Sequence, residues 1–184
     1  MFQSNKEYNN FLIQSGVHTF LQESPNKLLE NQKNQSKSQE KKDLKKLDEI
    51  TIIDDLIPII TNHESALKNN AKKMVLYNGN LNSNLMIIGE APGQEEDEQG
   101  IPFVGRAGQL LNKMLLAINI DRKDVYVTNV VPWRPPQNRT PSNPEILEFL
   151  PFLQKQIEII KPKFLYLLGT TAAKAILSTP ISLE

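Results

Sequence analysis

The 184 residues contain no cysteine. That excludes a disulfide, a thiolate zinc site, a Cys-ligated iron–sulfur cluster and a cysteine nucleophile among them. Histidine occurs only at positions 18 and 63, both remote from the motifs below, so a histidine-built metal site is not expected. No sign of charge dominates: 21 Lys+Arg balance 21 Asp+Glu. A strongly basic nucleic-acid tail is thereby excluded, while a local basic patch is not. No apolar run approaches the ~20 residues that span a bilayer. The opening MFQSNKEYNN lacks the basic segment and apolar core of a signal peptide. A cytoplasmic protein is expected.

What is present is one modest domain with additional segments. Residues 1–22 carry a rough helical stripe, Phe11, Leu12, Val17, Phe20 and Leu21, broken by Gly16. It reads as a helix, packed on the main domain or docking on a partner. Residues 23–46 are polar and repetitive and bury too little apolar surface to offset their ordering entropy, so they read as a flexible linker. From 47 to 70 the apolar residues return, interrupted by Pro58, as one or two helices. Asn78-Gly79-Asn80 is a turn signal.

From residue 85 the pattern is regular. Apolar runs at 85–88, 125–129 and 164–168 read as buried parallel strands. Helices are expected at 107–117, with Leu110, Leu111, Met114 and Leu115 on the buried face, at 144–160 with Asn143 as N-cap, and from Gly169-Thr170 through Leu177. Strands alternating with helices predict an α/β fold, a three-layer α/β/α sandwich with a central parallel sheet. Three strands are few for that class, and 164–168 would be a bare edge. Residues 47–184 are taken as this domain, incomplete at its carboxyl end.

The loops after the strands carry the chemistry, because ligands of open α/β sheets sit at the strands' carboxyl ends. GEAPG places Glu90 there, either as a solvent-facing carboxylate on a tight turn or as a catalytic one. The glycine spacing fits neither a dinucleotide fingerprint nor a P-loop. Glu95-Glu96-Asp97-Glu98 reads as a hydrated acidic loop, one member of which could orient a neighbouring polar group or a water. Phe103, between Pro102 and Val104-Gly105, either plugs the core or offers a ring for a base to stack on. Asn129 ends the second strand. Its amide offers a donor beside an acceptor, complementary to the Watson–Crick edge of uracil, or it closes the following turn. Arg134 and Arg139 flank Pro-Pro-Gln-Asn138 on a proline-stiffened loop able to present cations to phosphates.

In order, GEAPG, EED, G-x-PFVG-x-AG-x-LL, VTNVV, RPPQNR-x-P and LG-x-x-A-x-A-IL resemble the family-4 uracil-DNA glycosylases, within the uracil-DNA glycosylase superfamily, from about residue 85 to 177. The N-terminal segment and VPWRPP are similar to a cluster-free bacterial branch. The resemblance implies a DNA repair hydrolase of base excision, which flips uracil out of DNA and hydrolyses its N-glycosidic bond. It implies catalytic roles for Glu90, the Ala91 backbone and Glu96. Uracil binding would fall to Phe103 and Asn129, and DNA contact to Arg134, Asn138 and Arg139.

Two departures follow from the same resemblance. Family-4 members hold a four-iron–four-sulfur cluster on four cysteines. Here Trp133 and Phe149 stand at two of those positions, so no cofactor is expected and an apolar plug is inferred. The family's second catalytic motif, His-Pro-Ser/Ala after a fourth strand, is not among these residues. A truncated product or a half of a split protein is therefore expected, with impaired activity. A non-catalytic DNA-binding remnant and a protein-interaction module are the alternatives. The expected partner is uracil-containing DNA, for a monomer, with a repair or replication protein meeting the N-terminal helix.

Overall fold

The computed structural model describes residues 47–177. The chain divides into two units, Met1–Lys42 and Asp43–Glu184, and the described residues belong to the second. The expected helix at 1–22 and linker at 23–46 lie outside the described residues.

Helix α1 (Ile53–Asn62) leads into a 3-10 turn, Ala66–Asn69. Pro58 does not break α1 as the sequence suggested; the helix runs through it and buries Ile53, Leu56 and Ile60. Strand β1 (Tyr77–Gly79) precedes β2 (Leu85–Gly89), helix α2 (Gln94–Gln99) and helix α3 (Arg106–Ala117). Then follow β3 (Tyr126–Asn129), a 3-10 turn at Pro136–Asn138, α4 (Asn143–Ile160), β4 (Phe164–Leu167) and α5 (Thr170–Leu177).

The strand order is β1-β3-β2-β4. β2 pairs in parallel with β3 and β4, and β1 runs antiparallel to β3. The sheet is thus mixed, with four strands among the described residues instead of three. The additional one is the Asn78-Gly79 segment that the sequence suggested as a turn. Its three residues lack an apolar run. It is held by its ladder to β3 and by stacking of Tyr77 on Tyr126, 5.1 Å between centroids and 8° apart.

Alternation along β2 and β3 sorts the core into two layers. Met86, Ile88 and Tyr126 face a large cluster with α1, α4 and α5. Ile87, Val125 and Val127 face α3 through Leu111 and Leu115. Helices therefore cover both faces, the three-layer α/β/α arrangement. Two expected core residues of α3 are exposed instead: Leu110 at 59% and Met114 at 46%. They line a cleft, as described below.

The acidic segment is helical, not a loop. Gly93 caps α2, acidic residues fill its first turn where the helix dipole favours them, and Gly100 (φ 80°) ends it left-handed. The α4 cap is Ser142 rather than Asn143. The N–H and hydroxyl of Ser142 both donate to Glu145 Oε2, at 2.7 and 2.9 Å, so the capping carboxylate selects the residue three before it.

Candidate active site

The chain leaves β2 towards α3 on one face of the sheet and leaves β3 towards α4 on the other. The crevice between these two loops is the switch point of the sheet. It holds a cleft of about 830 Å³ lined by Gly89, Glu90, Phe103, Asn129, Asn138 and Leu110 among others. Register explains the convergence: Gly89 is paired with Asn129 on the neighbouring strand. The ladder continues past them, with Val130 N–H donating to Gly89 O and Val131 N–H to Glu90 O.

Gly89 is the close-approach point. A Cβ there would meet Phe103 Cζ at 2.4 Å and Asn129 Oδ1 at 2.6 Å. The ring and the amide thus meet over a bare backbone, which any side chain would fill. Asn129 is 4% exposed and its Nδ2 has no hydrogen-bond partner among the described residues. An unpaired buried amide donor costs roughly 1–3 kcal/mol, a cost that a ligand acceptor in the cleft would offset.

Phe103 adopts φ 57°, a left-handed conformation unfavourable to an aromatic residue. Three neighbours hold it. Glu96 accepts the N–H groups of Val104 (3.0 Å), Gly105 (2.8 Å) and Gly93 (3.1 Å). Gly108 lets α3 close on the Phe103 backbone, where a Cβ would lie 1.7 Å from the Phe103 carbonyl oxygen. Arg122 donates to Pro102 O at 2.9 Å. Glu96 lies on the cleft, with its carboxylate bonded to backbone.

Glu90 and Ala91 line the cleft. The Thr171 hydroxyl donates to Glu90 Oε2 at 2.5 Å from the first turn of α5. Sequence reasoning passed over Thr171. Its signal was the Gly-Thr-Thr that follows a strand adjacent to the one bearing Glu90.

Asn138 faces the cleft. Arg134 donates Nε to Asn138 Oδ1 at 2.7 Å, and its Nη1 lies 3.8 Å from the buried carboxylate of Asp97. Asp97 also accepts the N–H groups of Lys72 and Lys73, so a member of the acidic cluster does orient polar neighbours. Arg139 forms a two-pronged pair with Glu145 at 2.7 and 2.6 Å. That pairing, with Ser142, holds the Glu145 carboxyl down at about 2. Both guanidiniums are thus engaged within the protein. Consecutive left-handed residues, Gln137 and Asn138 (φ 56° each), give the loop its shape.

The residues at the expected cluster position do not fit an iron–sulfur cluster. Trp133 is 7% and Phe149 1% exposed, both within the larger core. Lys68 Nζ stands 5.6 Å over the Trp133 ring. The His63 ring meets Phe149 and Phe152 edge-on, and its Nε2 lies 3.1 Å from Glu148 Oε1. This is a packed plug without a thiolate. Among the described residues, no group of three or more His, Cys, Asp or Glu side chains could hold a metal ion, and no helix is long and apolar enough to cross a membrane.

The fold and cleft define an α/β protein with an open cleft at the switch point of its sheet, the place where ligands of such sheets sit. A family model described as the uracil DNA glycosylase superfamily matches residues 76–183, and the chain belongs to that superfamily. It is similar to the type-4 uracil-DNA glycosylases of Pyrobaculum aerophilum (49% identity over 106 residues, 58% of this chain and 54% of the relative) and Thermotoga maritima (50% over 103 residues, 56% and 54%). The type-4 uracil-DNA glycosylase of Archaeoglobus fulgidus is 46% identical over 98 residues, 53% and 49% of the two chains. The chain spans about half the length of these relatives.

Proposed function

We propose that this chain is the uracil-reading and carboxylate-bearing part of a DNA repair glycosylase that hydrolyses the N-glycosidic bond of deoxyuridine. The observation that carries the reading is the buried, unpartnered Nδ2 of Asn129 at the floor of a cleft walled by an aromatic ring.

A flipped uracil would stack on Phe103, a contact worth roughly 1–3 kcal/mol. Asn129 Nδ2–H would donate to uracil O4 while Oδ1 accepts N3–H. Cytosine, with N3 an acceptor and N4 a donor, mismatches both. Glu90 would stand beside the sugar. As the bond from C1′ breaks, its electron pair goes to uracil N1 and positive charge develops on the sugar. A carboxylate there stabilises that charge and orients the water that adds to C1′; the proton this water gives up ends, by way of solvent, on the departed uracil anion, leaving neutral uracil and an abasic sugar. Thr171 fixes the carboxylate in place. Glu96 acts on the reaction by positioning the Phe103 loop. Asn138 would meet the DNA strand, with Arg134 and Arg139 shaping its loop. The similarity to type-4 enzymes supports this reading. A monomeric cytoplasmic protein acting on uracil-containing DNA is part of the proposal.

The test is base release from a single-stranded oligonucleotide with one uracil. The purified chain is expected to release uracil, Glu90→Gln to slow release by about 100-fold or more, and Asn129→Ala to abolish selection against cytosine and slow release. A folded wild-type chain that neither releases uracil nor binds the uracil oligonucleotide in preference to its cytosine counterpart would contradict the proposal.

A further inference from the structure

We propose that Arg106, at the start of α3, takes a backbone phosphate of the DNA strand whose base enters the cleft. This rests on the base-excision reading and adds the anion contact that the cleft needs.

The cleft carries much negative charge of its own, with Glu90, Glu95 and Glu96 all on its lining. DNA phosphates are repelled by such a surface unless a cation meets them. The arginines of the chain divide sharply in this respect. Arg122 is half-buried and donates to Pro102 O and Asn112 Oδ1. Arg134 is held by Asn138 and Asp97, and Arg139 by Glu145 and Thr140 O. Arg106 alone of the four lines the cleft. It is exposed, and its guanidinium has no ion pair or hydrogen bond among the described residues.

Against the carboxylates of Glu95 and Glu96 beside Gly105, the backbone at the start of α3 adds donors to the Arg106 charge. α3 is a helix of 12 residues, and Arg106, Ala107 and Gly108 form its first turn. Their N–H groups have no partner within the helix, and Arg106 and Ala107 lie on the cleft. The Gly105 N–H is separately occupied by Glu96. Independently, the 4%-exposed Asn129 leaves its Nδ2 unpartnered in the same cleft, which marks the place of the base. A nucleotide seated there by its base carries its phosphate one sugar away, towards the exposed rim where Arg106 stands. The guanidinium fork suits phosphate in a way that a lysine point charge does not.

The experiment is anisotropy titration of a fluorescent single-stranded oligonucleotide containing one uracil, from 50 to 300 mM KCl, with the whole chain and its Arg106→Ala and Arg106→Lys variants. Removing one phosphate contact should lower the slope of log K against log salt by roughly 0.7 and weaken binding about four-fold at 0.15 M salt. Arg106→Lys should keep the slope. A merely structural role would shift affinity without moving the slope. If Arg106→Ala keeps the wild-type slope and affinity, the inference is overturned while the base-excision reading stands. A slope that depends on Arg106 in a chain that does not distinguish uracil from cytosine would support the phosphate contact and overturn the base-excision reading. A folded wild-type chain that binds neither oligonucleotide would overturn both.

Discussion

On one wall of the cleft Phe103 is held left-handed by steric fit and backbone hydrogen bonds. On the other, Gln137 and Asn138 are held left-handed by prolines and ion pairs. The first wall depends on glycines at 89 and 108 and on Glu96 reaching three N–H groups. The second depends on Arg139 with Glu145, on Arg134 with Asp97 and Asn138, and on the fixed φ of Pro135 and Pro136. The difference assigns each wall a task. Close packing gives the Phe103 ring one position. Charge pairs, one of them on the buried Asp97 carboxylate, shape the loop that carries Asn138.

Perturbing the first wall should have the larger effects. Gly108→Ala forces a Cβ into the Phe103 backbone, and overpacking of this kind costs roughly 1–3 kcal/mol. A lowered unfolding midpoint in a denaturant titration, together with loss of uracil release, is the expected result. Gly89→Ala is more selective, because the obstructing atoms are side-chain ones, Phe103 Cζ and Asn129 Oδ1. The fold should survive, with release slowed by about 100-fold, since a misplacement of about 1 Å costs that much. A Gly89→Ala chain with unchanged kinetics would show that the ring and amide do not act together.

Perturbing the second wall should act more gently and through charge. Glu145 titrates at about 2 against an ordinary 4.5, chiefly because the Arg139 guanidinium donates to it. A carboxyl lowered on folding contributes stability above its unfolded value and loses it as pH falls through its folded value. Loop 135–139 and the start of α4 should therefore loosen between about pH 4.5 and 2. Faster amide exchange there in the wild type, and a flat profile in Glu145→Gln, would be the observation. A smaller effect again should come from Lys68→Met, which removes the cation over Trp133, an interaction worth about 0.5–1 kcal/mol, together with the Nζ donor to Thr61 O and His63 O. Thermal unfolding should record a slight fall without change in base release.

The sequence showed the layers better than the contacts. Apolar runs at β2 and β3 were legible because buried parallel strands leave few other readings; the run at β4 also forms a strand, but an edge one that exposes Phe164 and Tyr166 instead of burying them. Glu90, Phe103 and Asn129 were placed at strand ends or in the loops between. β1 was not legible, because three residues including Asn-Gly carry a turn signal and owe their pairing to β3. Leu110 and Met114 were misplaced for a physical reason. Helical spacing marks an apolar face, but here that face is wide enough to cover the core with Leu111 and Leu115 and line the cleft with the other two. The engagement of Arg134 and Arg139 was also beyond the sequence, since their partners Asp97 and Glu145 are fixed by tertiary packing and by a helix cap. Thr171 was hidden because its partner lies 81 positions away on an adjacent strand.

The central claim is that Asn129 waits, unpaired, for a base with an acceptor at O4 and a donor at N3. The most direct measurement is the side-chain amide resonance of Asn129 in a 15N-labelled chain, titrated with a single-stranded oligonucleotide containing uracil and with its cytosine counterpart. A downfield shift of the Asn129 amide protons is expected with uracil and none with cytosine. Equal shifts with both, or none with either while the oligonucleotide is bound, would contradict it.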